Sequence, residues 1–188
     1  MKRIVIFASG SGSNAENLIR FFQNNDHASV IQVLTNNPYA KVLERCKRLK
    51  VSALSFNRTA FTSTNDVLHI LKSSQPDLII LAGFLWKFPE FILKEFPNKV
   101  INLHPALLPK YGGKGMYGKY VHEAVVENNE KETGITIHYV NENYDEGAII
   151  FQAKCKVSSN DSPDDVATKI HQLEMVHFPK VVEQLLTS

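Results

Sequence analysis

Short apolar runs alternate along the chain with segments of helical periodicity. The first run, residues 3–8, is uninterrupted and rich in β-branched residues, which is typical of a strand buried on both faces of a sheet. Further strands are predicted at residues 30–35, 52–56 and 78–82, and from residue 100 to His104. Amphipathic helices are predicted after the loop at residues 9–14 and over about 40–49 and 64–74. This alternation predicts a mostly parallel sheet with right-handed crossovers.

The C-terminal part has a different pattern. A helix is predicted at about residues 120–128, followed by strands at 133–140 and 148–157 that form an antiparallel hairpin at the edge of the sheet. Ser162 before Pro163, with acids in the next turn, predicts a last helix that runs to about Phe178. With 188 residues, 44% of them hydrophobic, the chain is expected to form one α/β domain over residues 1–188.

Composition and charge exclude several classes of partner. The net charge is only +2, with Lys and Arg spread along the chain, so no nucleic-acid partner is predicted. No apolar run approaches the roughly 20 residues that span a bilayer, so no membrane partner is predicted. Cys46 and Cys155 have neither CxxC nor zinc-site spacing, and without a signal peptide we expect free thiols in the reducing cytoplasm. Small anionic ligands remain compatible with this composition.

Asn102 and His104 end the strand that begins at Val100, and Pro105 then takes the chain out of the sheet. Side chains two residues apart in a strand lie on the same side, so these two can aim at one point. Asn can donate to a developing oxyanion, and His can exchange a proton near neutral pH. The alternative is that a single His at a strand end is only a satisfied polar residue.

A Gly- and Ser-rich loop, GSGSN at residues 10–14, lies between the first strand and the first helix. Glycines and a helix N-terminus favour a phosphate, although a purely structural turn is the alternative. The loop lacks the spacing of the dinucleotide-binding and P-loop motifs, which disfavours both. Arg58, in a loop predicted at residues 57–59, could reach a phosphate from a neighbouring strand end or simply be solvated.

Three further loops are candidates for the site, because ligands of parallel sheets bind at the carboxyl ends of the strands. Residues 83–89 are rich in aromatic side chains and suit the wall of a pocket for a flat heterocycle, although core packing explains most of the phenylalanines. Residues 110–118 contain four glycines and suit a lid. Asp145 could place a carboxylate beside His104, or serve only as a turn residue.

The segments GSGSN, LAGF, NLHPALLPKYGG, GITIHYV and DEGAII resemble, in order and spacing, the glycinamide ribonucleotide (phosphoribosylglycinamide) formyltransferases of purine synthesis. The similarity extends over about residues 3–180. It implies the formyltransferase fold, a Rossmann-like, mostly parallel twisted sheet with helices on both faces and an antiparallel edge hairpin. It also implies a phosphate-binding half at about residues 1–100 and a folate-binding and catalytic half at about 101–188.

The resemblance implies roles for individual residues. Asn102, His104 and Asp145 match the catalytic trio. The substrate is matched by Gly12, Ser13 and Asn14 at its phosphate, with help from Arg58, and by Glu174 at its ribose. The folate pocket matches Leu85, Trp86, Lys87 and Phe88 together with Asn102 and the 142–147 loop, in which Glu142, Tyr144 and Asp145 are the expected contacts.

Two departures from the family pattern stand out. Trp86 stands where relatives often have Arg, and residues 114–118 stand where many have histidines. The contacts to the folate tail and the role of the Gly-rich loop are therefore the parts of the site that the resemblance determines least.

The implied reaction moves a formyl group from 10-formyltetrahydrofolate to the amine of glycinamide ribonucleotide, without a metal, in a cytoplasmic monomer or weak homodimer. Asn102 and protonated His104 are expected to stabilise the oxyanion. Asp145 is expected to keep His104 charged and, through water, to accept the proton of the amine.

Three alternatives share parts of this pattern. A methionyl-tRNA formyltransferase is expected to add a C-terminal RNA-binding domain, and a 10-formyltetrahydrofolate hydrolase an N-terminal regulatory domain; we expect neither in this chain. A non-catalytic sensor of nucleotide phosphates would use only the GSGSN loop. The complete set of Asn102, His104 and Asp145 argues against the sensor.

Overall fold

A computed structural model describes residues 1–187. One seven-stranded sheet crosses the molecule in the order β3-β2-β1-β4-β5-β6-β7. The strands are β1 Lys2–Phe7, β2 Ala28–Thr35, β3 Ser52–Ser55, β4 Leu78–Leu81, β5 Val100–His104, β6 Glu132–Tyr139 and β7 Ile149–Lys156. The helices are α1 Ser13–Gln23, α2 Lys41–Leu49, α3 Arg58–Thr62, α4 Asp66–Ser74, α5 Glu90–Glu95, α6 Lys119–Glu127 and α7 Pro163–Thr187.

The sheet is mixed. Strands β1 to β5 pair in parallel, whereas β6 is antiparallel to β5 and β7 is antiparallel to β6. The predicted parallel sheet with an antiparallel hairpin at its edge is therefore confirmed. Because β2 and β3 extend from β1 in one direction and β4 and β5 in the other, the connections diverge between β1 and β4. The loops that follow these two strands open a crevice at that point, where α/β sheets bind ligands.

The first strand shows why an uninterrupted apolar run was needed. Ile4 and Ile6 pack into the hydrophobic cluster on the face covered by α1, α2, α6 and α7. Val5 and Phe7 point the opposite way, into a second cluster beneath α3, α4 and α5. All four side chains are fully buried, so the strand separates two cores and has no polar face.

Two helical predictions need correction. Residues 57–59 were predicted as a loop, but Asn57 caps a short helix, α3, by accepting a hydrogen bond from the N–H of Ala60 at 2.9 Å. The last helix was predicted to end near Phe178, yet α7 continues to Thr187 with Pro179 inside it. Phe178, Val181 and Val182 are buried, and their packing against the core offsets the backbone hydrogen bond that proline cannot make.

Within residues 1–187, no helix combines the length and the apolar character that crossing a membrane requires.

A cluster of ion pairs around Glu16 joins the first two helices. Glu16 on α1 accepts hydrogen bonds from Arg45 and Arg48 on α2 and pairs with Arg20 one turn further along α1, at 2.8 Å. The hydrogen bond from Arg45, with the charges of the other two arginines, lowers the pKa of Glu16 from 4.5 to about 2. Arg45 also donates from Nε to the carbonyl of Ser11 at 2.7 Å, so the cluster reaches the loop after β1.

We expect Glu16→Gln to lower the free energy of unfolding by roughly 2 kcal/mol at pH 7, after allowance for the exposure of Arg20 and Arg48. The folded-state pKa is depressed, so this stabilisation is present above pH 4.5 and is lost as the pH falls toward about 2. Urea denaturation of both proteins across that range measures it, with the exposed Glu44→Gln on α2 as control. If the variant were less stable by the same amount near pH 2 as above pH 4.5, the assignment would be contradicted.

Candidate active site

The loop after β1 presents a helix N-terminus to the crevice. Gly12 is the N-cap residue of α1 and adopts a left-handed conformation with φ of 72°. A Cβ at this position would lie 2.3 Å from Cγ2 of Val42, so only glycine fits between the loop and α2. No side chain caps α1, which leaves its first N–H groups available to an anion.

Helix α2 and the loop after β4 hold the loop after β1 in place. The N–H of Val42 donates to the carbonyl of Gly10 at 3.2 Å, beside the Arg45 contact to Ser11. On the other side, Ser9 donates its N–H to the carbonyl of Gly83 at 3.0 Å and accepts at Oγ from the N–H of Leu85 at 3.0 Å. The two loops at the divergence of the sheet therefore form one connected wall.

Asn102 and His104 lie at the carboxyl end of β5, where antiparallel β6 is their neighbour. The register places His138 opposite Asn102 and Thr136 opposite His104. Nδ2 of Asn102 lies 3.1 Å from Nε2 of His138, and Nδ1 of His138 donates to the carbonyl of Tyr139 at 2.8 Å. Since that carbonyl can only accept, Nδ1 of His138 carries a proton.

Thr136 plays a structural part beneath the site. Its Oγ1 donates to the carbonyl of Ala106 at 2.7 Å and accepts from the N–H of Leu108 at 3.0 Å and from Gln152 at 2.9 Å. Its side chain is fully buried. These bonds fix the turn through which the chain leaves β5.

Asp145 closes the cluster from the acidic loop between β6 and β7. Its Oδ2 accepts from the N–H of Gly113 at 2.9 Å and lies 3.6 Å from Nδ1 of His104. Its Oδ1 accepts from Nδ2 of Asn102 at 3.4 Å and lies 3.6 Å from Nε2 of His138. The structure thus brings together Asn102, His104 and Asp145, which the sequence analysis grouped, and adds His138.

Burial and a nearby carboxylate act in opposite directions on the pKa of His104. Its Nε2 donates to the carbonyl of Tyr111 at 2.7 Å, so Nδ1, the nitrogen facing Asp145, titrates. Burial lowers the pKa of His104 below 6.5, and the nearby carboxylate of Asp145 only partly offsets this effect. Asp145 thus acts on the pKa of His104 in the expected direction, but burial of the imidazole is the larger effect, and the charge expected on His104 stays a prediction.

The pKa of Asp145 is shifted in the direction that suits a general base. Burial acts to raise its pKa, but the contact with His138, the charge of His104 and the N–H of Gly113 together lower it below 3.8. The carboxylate is therefore ionised at neutral pH despite being largely buried.

These groups form the floor of a cavity of about 550 Å³. Gly12, Ser13, Asn14 and Glu174 line one end, and the Gly-rich loop from Gly113 to Gly118 lines a wall, as a lid would require. Nδ2 of Asn14 donates to Glu174 at 2.9 Å, while its buried Oδ1 has no hydrogen-bond partner among residues 1–187. His122 also lines the cavity, and its buried Nδ1 has no hydrogen-bond partner among the described residues.

The aromatic segment after β4 has a divided role. Phe88 is 3% exposed and packs edge-on against Phe7, with ring centroids 5.2 Å apart, as the core interpretation predicted. Trp86 instead lies under a guanidinium, with Cζ of Arg58 4.4 Å from the ring centroid. A second cavity of about 380 Å³ adjoins this pair. The residues lining it are Arg58, Thr62, residues 85–91, Glu142 and Tyr144.

This placement changes the interpretation of Arg58. The residue does not line the cavity that contains Gly12, Ser13 and Asn14, and α3 directs it onto Trp86 instead. The structure therefore gives no support to a phosphate contact by Arg58. It places Arg58 with Glu142 and Tyr144, two of the residues expected in the folate pocket.

Sequence reasoning missed His138 and His122. Thr136 and His138 are two residues apart in β6 and therefore lie on one face, and pairing that face with β5 was the available signal. For His122, which sits on α6, no local pattern pointed to a cavity. Within residues 1–187, no group of three or more His, Cys, Asp or Glu side chains is placed to hold a metal ion.

Comparison with known proteins first identifies the family to which the chain belongs. Residues 2–182 match the family model described as formyl transferase, so the class of the chain is that of the formyl transferases. Phosphoribosylglycinamide formyltransferase of Bacillus subtilis is 34% identical over 193 residues, which cover 99% of this chain and 95% of that protein. The chain belongs to the formyl transferase family, and within it to the phosphoribosylglycinamide formyltransferases.

Other relatives agree in sequence and structure. The crystal structure of glycinamide ribonucleotide transformylase 1 from Geobacillus kaustophilus superposes with a TM-score of 0.90 at 33% identity, covering 99% of both chains. The chloroplastic phosphoribosylglycinamide formyltransferase of Arabidopsis thaliana is 33% identical over 187 residues. The chain spans 64% of the length of that plant protein.

We expect the His104 imidazole to titrate with a midpoint below 6.5 in the protein without substrates, because burial disfavours its charged form. Asp145→Asn removes the charge that raises this pKa and should move the midpoint lower still. Ring resonances of His104 followed by NMR against pH measure both values. A midpoint above 6.5, or an upward shift in the variant, would contradict the account.

Proposed function

We propose that the chain transfers the formyl group of 10-formyltetrahydrofolate to the amine of glycinamide ribonucleotide, in purine biosynthesis. The observation that carries the proposal is that the cluster of Asn102, His104 and Asp145 lines the same cavity as an uncapped helix N-terminus. A substrate with a phosphate at one end and an amine at the other suits that arrangement. The names of the relatives support the same choice.

The phosphate end would use the loop at Gly12, Ser13 and Asn14, where N–H groups and the helix dipole favour an anion. Glu174, held by Asn14, lies at the same end of the cavity and would accept hydrogen bonds from ribose hydroxyls. The unpartnered Oδ1 of Asn14 supports a ligand there, because a buried polar atom without a partner is costly.

The chemical step would begin with attack of the amine nitrogen on the formyl carbon. The new C–N bond converts the carbonyl oxygen to an oxyanion, which Nδ2 of Asn102 and a proton on Nδ1 of His104 would stabilise. The developing negative charge would raise the pKa of His104, so that Nδ1 can hold the proton that the amine loses until the oxyanion collapses. One preorganised donor is worth roughly 3 kcal/mol at such a centre.

Proton transfer completes the step. Asp145, ionised beside the reacting centre, would accept the proton of the attacking amine, directly or through water, and relay it to Nδ1 of His104, 3.6 Å away. As the oxyanion collapses, this proton would pass to the folate nitrogen while the bond from that nitrogen to the formyl carbon breaks. The products are the formylated ribonucleotide and tetrahydrofolate. No covalent enzyme intermediate is required.

The folate would occupy the wall formed by residues 85–88 together with Tyr144 and the 142–147 loop, next to the cluster. Its acidic tail would extend into the second cavity, where Arg58 and Lys87 provide positive charge. Arg58 thus serves the donor rather than the phosphate of the acceptor. The cytoplasmic location and the monomer or weak homodimer remain predictions.

Spectrophotometric release of tetrahydrofolate, with and without glycinamide ribonucleotide, tests the proposal. We expect turnover that requires the ribonucleotide and falls by about 100-fold or more in His104→Ala and Asp145→Asn, because each removes a group from the reacting centre. Asp164→Asn, an exposed acid at the start of α7, is the matched control.

Circular dichroism should show that the variants remain folded. Release of tetrahydrofolate without the amine would indicate a hydrolase, and tight ribonucleotide binding without release would indicate a sensor. Near-normal turnover of Asp145→Asn would refute its assignment.

The position of Arg58 gives a second test. Arg58→Met should raise the KM for a folate donor with glutamate carboxylates several-fold and leave the KM for the ribonucleotide unchanged, because the guanidinium lies on Trp86 away from the phosphate loop. Steady-state kinetics with each substrate varied in turn measures both constants, with Lys72→Met on α4 as control. A rise in the KM for the ribonucleotide alone would instead indicate that Arg58 contacts the phosphate of the ribonucleotide.

A further inference from the structure

The backbone of residues 111–113 makes two contacts to the catalytic cluster. The carbonyl of Tyr111 accepts from Nε2 of His104 at 2.7 Å, and the N–H of Gly113 donates to Oδ2 of Asp145 at 2.9 Å. Both partners of the reacting centre are therefore oriented by one three-residue segment. The position of that segment sets which nitrogen of His104 faces Asp145.

This segment has an unfavourable local conformation. Tyr111 adopts φ of 56°, a left-handed conformation that side chains with a Cβ seldom adopt. Gly112 lies against the site, since a Cβ there would be 2.6 Å from Cδ2 of Leu108 and 3.3 Å from Cβ of Asp145. The backbone would relax from this path unless contacts elsewhere hold it.

One such contact comes from outside the site. The hydroxyl of Tyr111 donates to Oε1 of Glu130 at 2.9 Å, and Nζ of Lys110 donates to the same oxygen at 2.8 Å. These two donors lower the pKa of Glu130, so its carboxylate is ionised and accepts at neutral pH. The ring of Tyr111 packs against the core cluster that includes α6 and β6.

Glu130 itself is anchored. It lies in the tight turn between α6 and β6, where its N–H donates to the carbonyl of Val125 at 3.2 Å and Asn129 before it adopts φ of 52°. The strand that follows carries Thr136 and His138 into the site. The carboxylate therefore links a fixed turn to the backbone that orients His104.

We propose that Glu130 is a positioning residue, which holds the Tyr111 backbone so that His104 and Asp145 keep their reactive geometry. The inference rests on the proposed function for its kinetic expectations. Glu130 lines neither of the two cavities described above, and its effect passes through the hydroxyl of Tyr111. Such a role predicts a loss in turnover rather than in substrate binding.

The test compares four variants in the same turnover assay. Tyr111→Phe and Glu130→Leu should each lower kcat roughly tenfold and change both KM values less than twofold, because misplacing the reacting groups affects the transition state most. Glu130→Gln keeps an oxygen that can accept from Tyr111 and should retain kcat within about twofold. The double variant Tyr111→Phe with Glu130→Leu should be no slower than the slower single variant.

Lys110→Met is the matched control, since it removes the second donor to Glu130 and leaves the tyrosine contact intact. Its kcat should stay within about twofold of the unmodified protein. If Lys110→Met were as slow as Glu130→Leu, the ion pair rather than the tyrosine contact would be responsible, and the proposal would be overturned. Unchanged kcat in folded Tyr111→Phe would also overturn it.

A second readout does not depend on turnover. The carbonyl of Tyr111 raises the pKa of His104, so Tyr111→Phe should shift the His104 titration to lower pH, seen in its ring nitrogen resonances. An unmoved titration and unmoved ring resonances would overturn the proposal even if the enzyme reaction were a different one. Failure of the unmodified protein to turn over the ribonucleotide, with the shift present, would count against the proposed function alone.

Discussion

The antiparallel register between β5 and β6 is the constraint on which the site depends. It sets His138 against Asn102 and Thr136 against His104, and a slip of one residue would turn these side chains to the other face of the sheet. Thr136 then secures the turn after β5, and the hairpin that continues from β6 returns Asp145 to the cluster. The strand pairing therefore assembles the chemistry before any ligand contact is considered.

Burial and neighbouring groups together set the pKa values in this cluster. Asp145 stays ionised because an imidazole, an amide and a backbone N–H face it, whereas His104 loses more by desolvation than one carboxylate returns. The imidazole of His104 is already oriented by its hydrogen bond at Nε2, and its burial disfavours the charged form. It can take a proton when an oxyanion forms nearby, which is an arrangement suited to acyl transfer rather than to binding alone.

The loop after β1 is held in place by different means. It contains no long side chain and is shaped from behind by α2, through Val42 against Gly12 and through Arg45, which links Ser11 to Glu16. The divergence of the sheet between β1 and β4 places this loop beside the aromatic segment. The cavity thereby joins residues from both of the halves into which the chain was expected to divide.

Local pattern determined much of this protein. The apolar run of β1, the glycines of residues 10–14 and the pairing of Asn102 with His104 two residues apart are properties of neighbouring residues, so the sheet and two parts of the site were predictable. The resemblance chose between the two interpretations of Asp145, a carboxylate beside His104 or a turn residue, and it added Glu174, which no spacing along the chain could have joined to the site. Tertiary structure alone decided the rest. Arg58 lies on Trp86 because α3 turns it there, α7 continues through Pro179 because its neighbours are buried, and His138 enters the site because β6 pairs with β5. The charge state of His104 also belongs to the fold, since it depends on how much water the packed chain excludes around the imidazole.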